Sequence, residues 1–260
     1  MRPLAPWLLF RAVSALASQA SSGAVWATPH EQFSSSVGVL GCKIDTNRVA
    51  YWPGSVGCDN ICLSLTYEGR SVKLLRIDSS EGAYDISYDA WNYLYTGNSA
   101  RDQPATGGPV PMDFKYLHPS ECADLIHTEG NKLPFSAPTG TNLLVSCLAQ
   151  PGSWIAGNYV LYNIIDSVCS WGYDEECTLD WPSANQASCP HTLGLMEPLT
   201  SAPVYNIQYG TGEMLLASTG QVVEDGDVSL ASREATTSTN QLWCLLGFLV
   251  ALQYAFFGGS

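Results

Sequence analysis

A mainly β fold is predicted by three features of the sequence. Apolar segments of about six to nine residues, the usual length of strands, recur between residues 37 and 126. Residues 61–67 partly alternate apolar and polar side chains, as a half-buried strand does. The segment Glu68-Gly69-Arg70-Ser71 is typical of a hairpin turn, because glycine readily takes the positive φ that such turns need.

The elements of this region follow in order. The predicted strands are 37–45, 47–52, 61–69, 70–78 and 110–117. After Asp85 the pattern changes, since Ile86, Ala90 and Leu94 recur every four residues and predict a short helix over 88–95. Ser87 suits its N-cap, and Thr96-Gly97-Asn98 its end. A Gly- and Pro-rich loop then leads to the last strand.

A second region, residues 127–217, is a Cys-rich extension that contains further strands. Residues 159–166 predict one strand, and 204–218 predict two more around a Gly-Thr-Gly turn. Residues 169–189 contain three cysteines and predict a disulfide-closed loop. From residue 218 to 241 the composition is that of a Ser/Thr-rich stem.

Both ends of the chain resemble targeting segments. Residues 1–27 combine an early positive charge, an apolar run and small-residue cleavage sites after Ala17 or Ala27, which predicts a secretory signal peptide. Residues 242–260 form an apolar tail whose run over 242–257 is shorter than the roughly 20 residues of a membrane-spanning helix. With the stem before it, this tail predicts a glycolipid anchor attached between residues 229 and 238. A tail-anchored membrane helix is the alternative.

Cysteine usage agrees with an extracellular location, in the medium, at the cell surface or in the cell wall. Without Cys244 of the tail, eight cysteines remain, an even number that predicts four disulfides in a secreted chain. These are Cys42, Cys58, Cys62, Cys122, Cys147, Cys169, Cys177 and Cys189, and their pairing is left open. His118, His127 and His191 are scattered, so no metal site is expected, and no cofactor motif is present.

Charge restricts the classes of partner. The net charge is −13, and the 11 Lys and Arg residues are spread singly. A phosphate backbone is bound by clustered basic residues, so a nucleic-acid partner is excluded. An acidic surface also repels anionic polymers, but it is compatible with an uncharged polysaccharide. We expect a monomer.

From Cys58 to Leu94 the chain resembles the double-psi β-barrel superfamily of barwin, expansins, fungal loosenin-like proteins and family 45 endoglucanases. The likeness rests on Cys58 and Cys62, the hairpin, Ile77-Asp78, Asp85-Ile86-Ser87 and Ala90-Trp91, and on a last strand that ends near Cys122. It covers residues 37–126 and implies a six-stranded double-psi β-barrel with a short helix. It also implies a groove for cell-wall polysaccharide, with Asp85 in it.

The same resemblance bears on catalysis. Inverting hydrolysis needs an acid and a second carboxylate about 6.5–9.5 Å apart. Asp85 matches the family's acid, but Pro53 stands after Tyr51-Trp52, where the family has its base. Asp45 and Asp59 lie nearby in the sequence, but neither falls in the matching place. Asp78 is the other candidate, although an Asp at a strand end commonly caps the N–H groups of the following turn.

Three functions are therefore weighed. The first is a secreted, surface-anchored protein of fungal type that binds or loosens wall polysaccharide (β-glucan, cellulose or chitin) without hydrolysis. In this hypothesis Asp85 bonds to sugar hydroxyls, and Tyr84 and Trp52, with Tyr51 beside them, stack on sugar rings. The second is an inverting β-glycan hydrolase with Asp85 as acid and Asp78 as its possible partner. The third is a non-enzymatic apoplastic effector or surface structural protein.

Overall fold

The structure is a computed structural model, and it describes residues 21–223. Six strands form a closed barrel in the order β1-β5-β2-β4-β3-β6. They are β1 (Ser22–His30), β2 (Val49–Pro53), β3 (Cys62–Tyr67), β4 (Arg70–Ser80), β5 (Tyr84–Ser87) and β6 (Val110–Tyr116). The pairs β1–β5 and β2–β4 are parallel and the other four are antiparallel. The mainly β prediction is confirmed, and the mixed barrel is compatible with a double-psi barrel.

The remaining elements follow the barrel strands. Helix α1 (Tyr88–Thr96) comes directly after β5. The extension holds two three-stranded sheets and two short helices. Its elements are β7 (Leu133–Ser136), α2 (Thr141–Leu148), α3 (Trp154–Gly157), β8 (Tyr159–Ile164), β9 (Gly172–Cys177), β10 (Tyr205–Ile207), β11 (Met214–Leu216) and β12 (Val222–Val223). Within residues 21–223 no helix is long and apolar enough to cross a membrane.

Local sequence determines the turn and the helix end as predicted. The β3–β4 hairpin closes through Glu68 and Gly69, with φ of 47° and 79°. A two-residue turn with two positive φ values matches the twist of the strands beside it. Helix α1 ends at Gly97, whose φ is 89° and whose N–H donates to the carbonyl of Tyr93. Ser87 precedes the helix, but its hydroxyl donates to the carbonyl of Asn47 and does not cap the helix.

The first barrel strand lies where the sequence predicts other structure. Strand β1 begins at Ser22 and pairs with both β5 and β6, so the barrel starts before residue 37. Cleavage after Ala27 would remove most of β1, whereas cleavage after Ala17 leaves it whole. The signal peptide, the stem and the anchor tail otherwise lie outside the described residues and stay predictions.

The predicted strand over 37–45 is not a strand. This segment contains a 3₁₀ turn, Gly41–Lys43, and isolated bridges at Val39 and Ile44. These bridges connect it to Phe135 and Ile126, so it lies across the junction with the extension and is not part of the barrel. Its apolar residues are buried because they pack between the barrel and the extension. This burial explains why the segment has the composition of a strand.

Two apolar clusters hold the molecule together. The barrel core fills the barrel with side chains from all six strands and is closed at one end by α1. The shared core lies outside the barrel and joins it to the extension. It includes Leu75 and Ile77 of β4, Phe135 of β7, and Leu161 and Ile164 of β8. Residues on both sides of the predicted boundary at 126 therefore share one core.

The four predicted disulfides are confirmed. They join Cys42 to Cys169, Cys58 to Cys147, Cys62 to Cys122, and Cys177 to Cys189. The first two connect the barrel region with the extension, which reinforces the shared core. The last closes the loop after β9, as expected, whereas Cys169 pairs outside that loop. Four disulfides are compatible with an extracellular protein.

Glu175 ties this closed loop to the rest of the extension. Its carboxylate accepts hydrogen bonds from the side chain of Asn163 at 2.9 Å and from the backbone N–H of His191 at 2.8 Å, and His191 Nδ1 lies 2.6 Å away. The His191 ring stacks on Tyr173 with the ring centroids 3.9 Å apart. Burial raises the pKa of Glu175, but the hydrogen bonds from His191 and Asn163 outweigh it and hold the pKa below its usual value.

The network predicts an acid-sensitive loop. A carboxyl whose pKa is lowered on folding stabilises the protein above its unfolded pKa, about 4.3, and loses that effect as pH falls through its folded pKa. Glu175→Gln should therefore lower the melting temperature at pH 6, and the difference from the wild type should shrink towards pH 3. Thermal melts across this range test it, with the exposed Glu81→Gln as control. A difference that stays constant with pH would contradict the assignment.

Candidate functional site

A polar row crosses four neighbouring barrel strands. Thr28 of β1 pairs with Asp85 of β5, Asp85 pairs with Tyr51 of β2, and Tyr51 pairs with Asp78 of β4. Directly paired residues point to the same face of a sheet. The row therefore lies on the outer face of the barrel, the side on which Tyr51 joins the shared core. With strands about 4.8 Å apart, the Cα atoms of the two aspartates are about 10 Å apart.

Asp78 is a structural residue of this row. Its side chain is buried, and it accepts hydrogen bonds from the N–H groups of Ser36 and Ser79, each at 2.7 Å, and from the Ser36 hydroxyl. These bonds fasten the segment after β1 onto β4. A carboxylate held by three donors and closed off from solvent is poorly placed to activate water. Spacing alone would fit an acid/base pair, but the surroundings of Asp78 do not.

Tyr51 is also closed off. Only 4% of the residue is exposed, and its hydroxyl accepts from the N–H of Ser34 and donates to the carbonyl of Gln32. Burial, with the nearby carboxylates of Asp78 and Asp85, raises the pKa of Tyr51 well above its usual value, so the phenol stays protonated. The segment that follows β1 thus covers Tyr51, which is not open to a sugar ring in this structure.

Asp85 lies at the open end of the row. It is half-buried, and the hydroxyl of Thr28 donates a hydrogen bond to it. The two other carboxylates weighed as partners are occupied elsewhere. Asp45 caps the 3₁₀ turn Thr46–Arg48 by accepting from the N–H of Asn47, and Asp59 accepts from the N–H of Trp154 in the extension at 2.6 Å.

An outer cleft of about 370 Å³ lies beside Thr28. Because side chains alternate along a strand, Trp26 and Thr28 of β1 share the outer face while Val25 and Ala27 point into the barrel. Trp26 is 63% exposed, which is unusual for a residue of this size. The cleft is lined by Ala24, Val25, Trp26, Thr28, Gly82, Ala83, Tyr84 and Pro109, none of which is charged.

Tyr84 and Trp52 lie on the other face of the sheet. Tyr84 precedes Asp85 in β5, so its side chain points to the opposite side, where it meets Trp52 edge-on with ring centroids 5.1 Å apart. Trp52 is only 2% exposed and also meets Phe114, at 5.1 Å, and Tyr116, at 6.0 Å. These four rings form the barrel mouth, the end of the barrel opposite α1.

The predicted site is therefore divided between two places. Asp85 faces outwards, whereas the rings of Tyr84 and Trp52 meet at the barrel mouth, so the three side chains do not converge. Tyr84 also borders the outer cleft. The residues beside Asp85 that sequence reasoning missed are Trp26 and Thr28. Both fall at the end of the segment predicted as a signal peptide or just after it. The signal that could have placed Trp26 and Thr28 on a strand is that the apolar Val25 and Ala27 alternate with them.

No family model matches the sequence, and comparisons with curated proteins and with solved structures gave no match. Within residues 21–223, no three His, Cys, Asp or Glu side chains are arranged to hold a metal ion. The chemistry of the site therefore has to be read from its own residues.

Proposed function

We propose that this protein binds an uncharged cell-wall polysaccharide on the outer face of the barrel, without hydrolysing it. Trp26 stacks on a sugar ring, and Asp85, with Thr28 beside it, accepts hydrogen bonds from sugar hydroxyls. The observation that carries the proposal is the exposed Trp26 ring on the same strand face as the Thr28–Asp85 pair. Two residues along a strand span about 6.6 Å, so a single extended chain can reach both.

The chemistry of the cleft supports an uncharged ligand. Its lining contains no ionised side chain, and the carboxylate beside it would repel an anionic polymer. The aromatic face of Trp26 packs against apolar C–H faces, while Asp85 provides two strong acceptor oxygens. Such a combination favours sugar polymers such as cellulose, chitin or β-glucan over acidic ones.

Binding is favoured over cutting because the three carboxylates named as partners for Asp85 are engaged elsewhere in the fold. Asp78, Asp45 and Asp59 each accept hydrogen bonds that hold the fold together. The proposal includes membership of the double-psi superfamily of barwin and expansins, with which the closed mixed barrel is compatible. It also includes attachment of the protein to the cell surface through a glycolipid at its C-terminal tail.

Retention on insoluble cellulose, chitin and β-glucan tests the proposal. We expect the purified protein to bind at least one of them, and Trp26→Ala and Asp85→Asn each to weaken binding about tenfold or more, equivalent to about 1.4 kcal/mol. Trp171→Ala is the matched control, because Trp171 is 39% exposed in the extension and far along the chain from the cleft. Its binding should equal that of the wild type.

Two results would contradict the proposal. Absence of retention on all three polymers would favour a protein-interaction role instead. Release of soluble reducing ends that disappears in Asp85→Asn would favour the hydrolase alternative. Measuring retention and reducing ends on the same samples separates these outcomes.

A further inference from the structure

The barrel mouth contains a second cleft that the proposed function does not use. It measures about 310 Å³, at the lower end of the range for small-molecule pockets. It is lined by Ser22, Gly23, Ala24, Val25, Trp52, Pro53, Tyr84, Phe114 and Tyr116. It shares three lining residues, Ala24, Val25 and Tyr84, with the outer cleft.

A fully buried arginine lies behind this cleft. The guanidinium of Arg76 donates to the carbonyls of Trp52, Pro53 and Gly54 and, at 3.2 Å, to the hydroxyl of Tyr116. None of these partners is a carboxylate, and no ion pair involves Arg76 within residues 21–223. Its Nε has no hydrogen-bond partner there either. A buried charge without an opposite charge is costly, so this position is unusual.

Tyr116 connects the charge to the cleft. Its hydroxyl oxygen accepts from Arg76, which leaves the hydroxyl proton free to donate to a molecule in the cleft that Tyr116 lines. Burial raises the pKa of Tyr116 more than Arg76 lowers it, so the phenol keeps that proton at neutral pH. The cleft therefore presents flat aromatic walls and one polarised O–H donor with a positive charge behind it.

We propose that the barrel mouth binds a small planar carboxylate. Its ring packs against Trp52, Tyr84 and Phe114, and its carboxylate accepts from the Tyr116 hydroxyl in front of Arg76. Aromatic rings alone would suit a cationic ligand, but the positive charge of Arg76 repels a cation at this site. The acidic surface acts over longer distances, where salt screens it, whereas Arg76 lies directly behind the site.

Three matched probes test the assignment: cinnamate, cinnamamide and cinnamylamine, which share a ring and differ in charge. Binding is followed by NMR at the indole N–H of Trp52, which has no partner within the described residues and is identified by its loss in Trp52→Phe. We expect cinnamate to bind about tenfold or more tightly than cinnamamide, equivalent to about 1.4 kcal/mol. Cinnamylamine should bind more weakly than either.

The variant Tyr116→Phe keeps the ring and removes the donor. It should bring the affinities for cinnamate and cinnamamide close together while cinnamamide still binds, and Tyr173→Phe in the extension should leave the wild-type ratio unchanged. Equal binding of cinnamate and cinnamamide by the wild type would overturn the charge assignment. No change of the Trp52 resonance with millimolar cinnamate would overturn the site itself. Neither result depends on polysaccharide binding.

Discussion

Replacing Phe135 by alanine is expected to lower the free energy of unfolding of the whole chain by about 3–5 kcal/mol. Phe135 is fully buried in β7 and lies in the shared core with Leu75 and Ile77 of the barrel. Its backbone also bridges to Val39 at the junction. Truncating the ring removes contacts on both sides and leaves a cavity that backbone held by disulfides cannot easily collapse around.

The same variant tests whether the barrel and the extension unfold together. Because they share one core and two disulfides, we expect one transition that is seen equally by tryptophan fluorescence and by far-ultraviolet circular dichroism in urea. Met196→Ala is the control, since Met196 is 65% exposed and its loss should change stability by less than about 0.5 kcal/mol. Two separate transitions, with only one shifted by Phe135→Ala, would show that the two regions are independent.

Residues in the turns themselves were sufficient to predict the β3–β4 turn and the end of helix α1. The second residue of the Glu68-Gly69 turn and the helix end at Gly97 each have a positive φ, and glycine at these two positions indicates it in the sequence. The even number of cysteines gave four disulfides but not their pairing, because Cys42 and Cys169 meet only through tertiary packing. The segment 37–45 has strand-like composition, but its burial comes from the junction between two layers.

The candidate site was harder to predict for two physical reasons. An apolar strand near the N-terminus resembles the apolar part of a signal peptide, so Trp26 was assigned to the predicted leader. Consecutive residues of a strand point to opposite faces, so the side chains of Tyr84 and Asp85 point apart because residues 84–87 form β5. A strand predicted over residues 84–87 would have shown that Tyr84 and Asp85 point in opposite directions. The buried charge of Arg76 was not predicted, because only the closed barrel removes it from solvent.

Asp78→Ala is expected to destabilise the protein by about 1.5–3 kcal/mol, the usual range for hydrogen bonds to a charged group. The variant leaves the N–H groups of Ser36 and Ser79 without their acceptor and releases the segment that covers Tyr51. Asp78→Asn keeps one acceptor oxygen, so its loss should be smaller. Thermal melts check both, with a shift of about 2–4 °C for each kcal/mol in a chain of this size.

Asp85→Asn provides the matched comparison, because Asp85 sits in the same row on the next strand but one. Asp85 is half-buried, and within residues 21–223 the Thr28 hydroxyl is the one donor to its side chain. The melting temperature of Asp85→Asn should therefore stay close to that of the wild type. Substitutions of the two aspartates should thus have different effects: those at Asp78 lower stability, and those at Asp85 lower retention on polysaccharide. Asp78→Asn with an unchanged melting temperature and lost activity on glycan would contradict this, since an acid/base pair loses its chemistry when either carboxyl is replaced. The different roles of the two residues follow from their burial. A carboxylate enclosed by hydrogen-bond donors stabilises the fold, whereas a ligand can bind only to an accessible carboxylate.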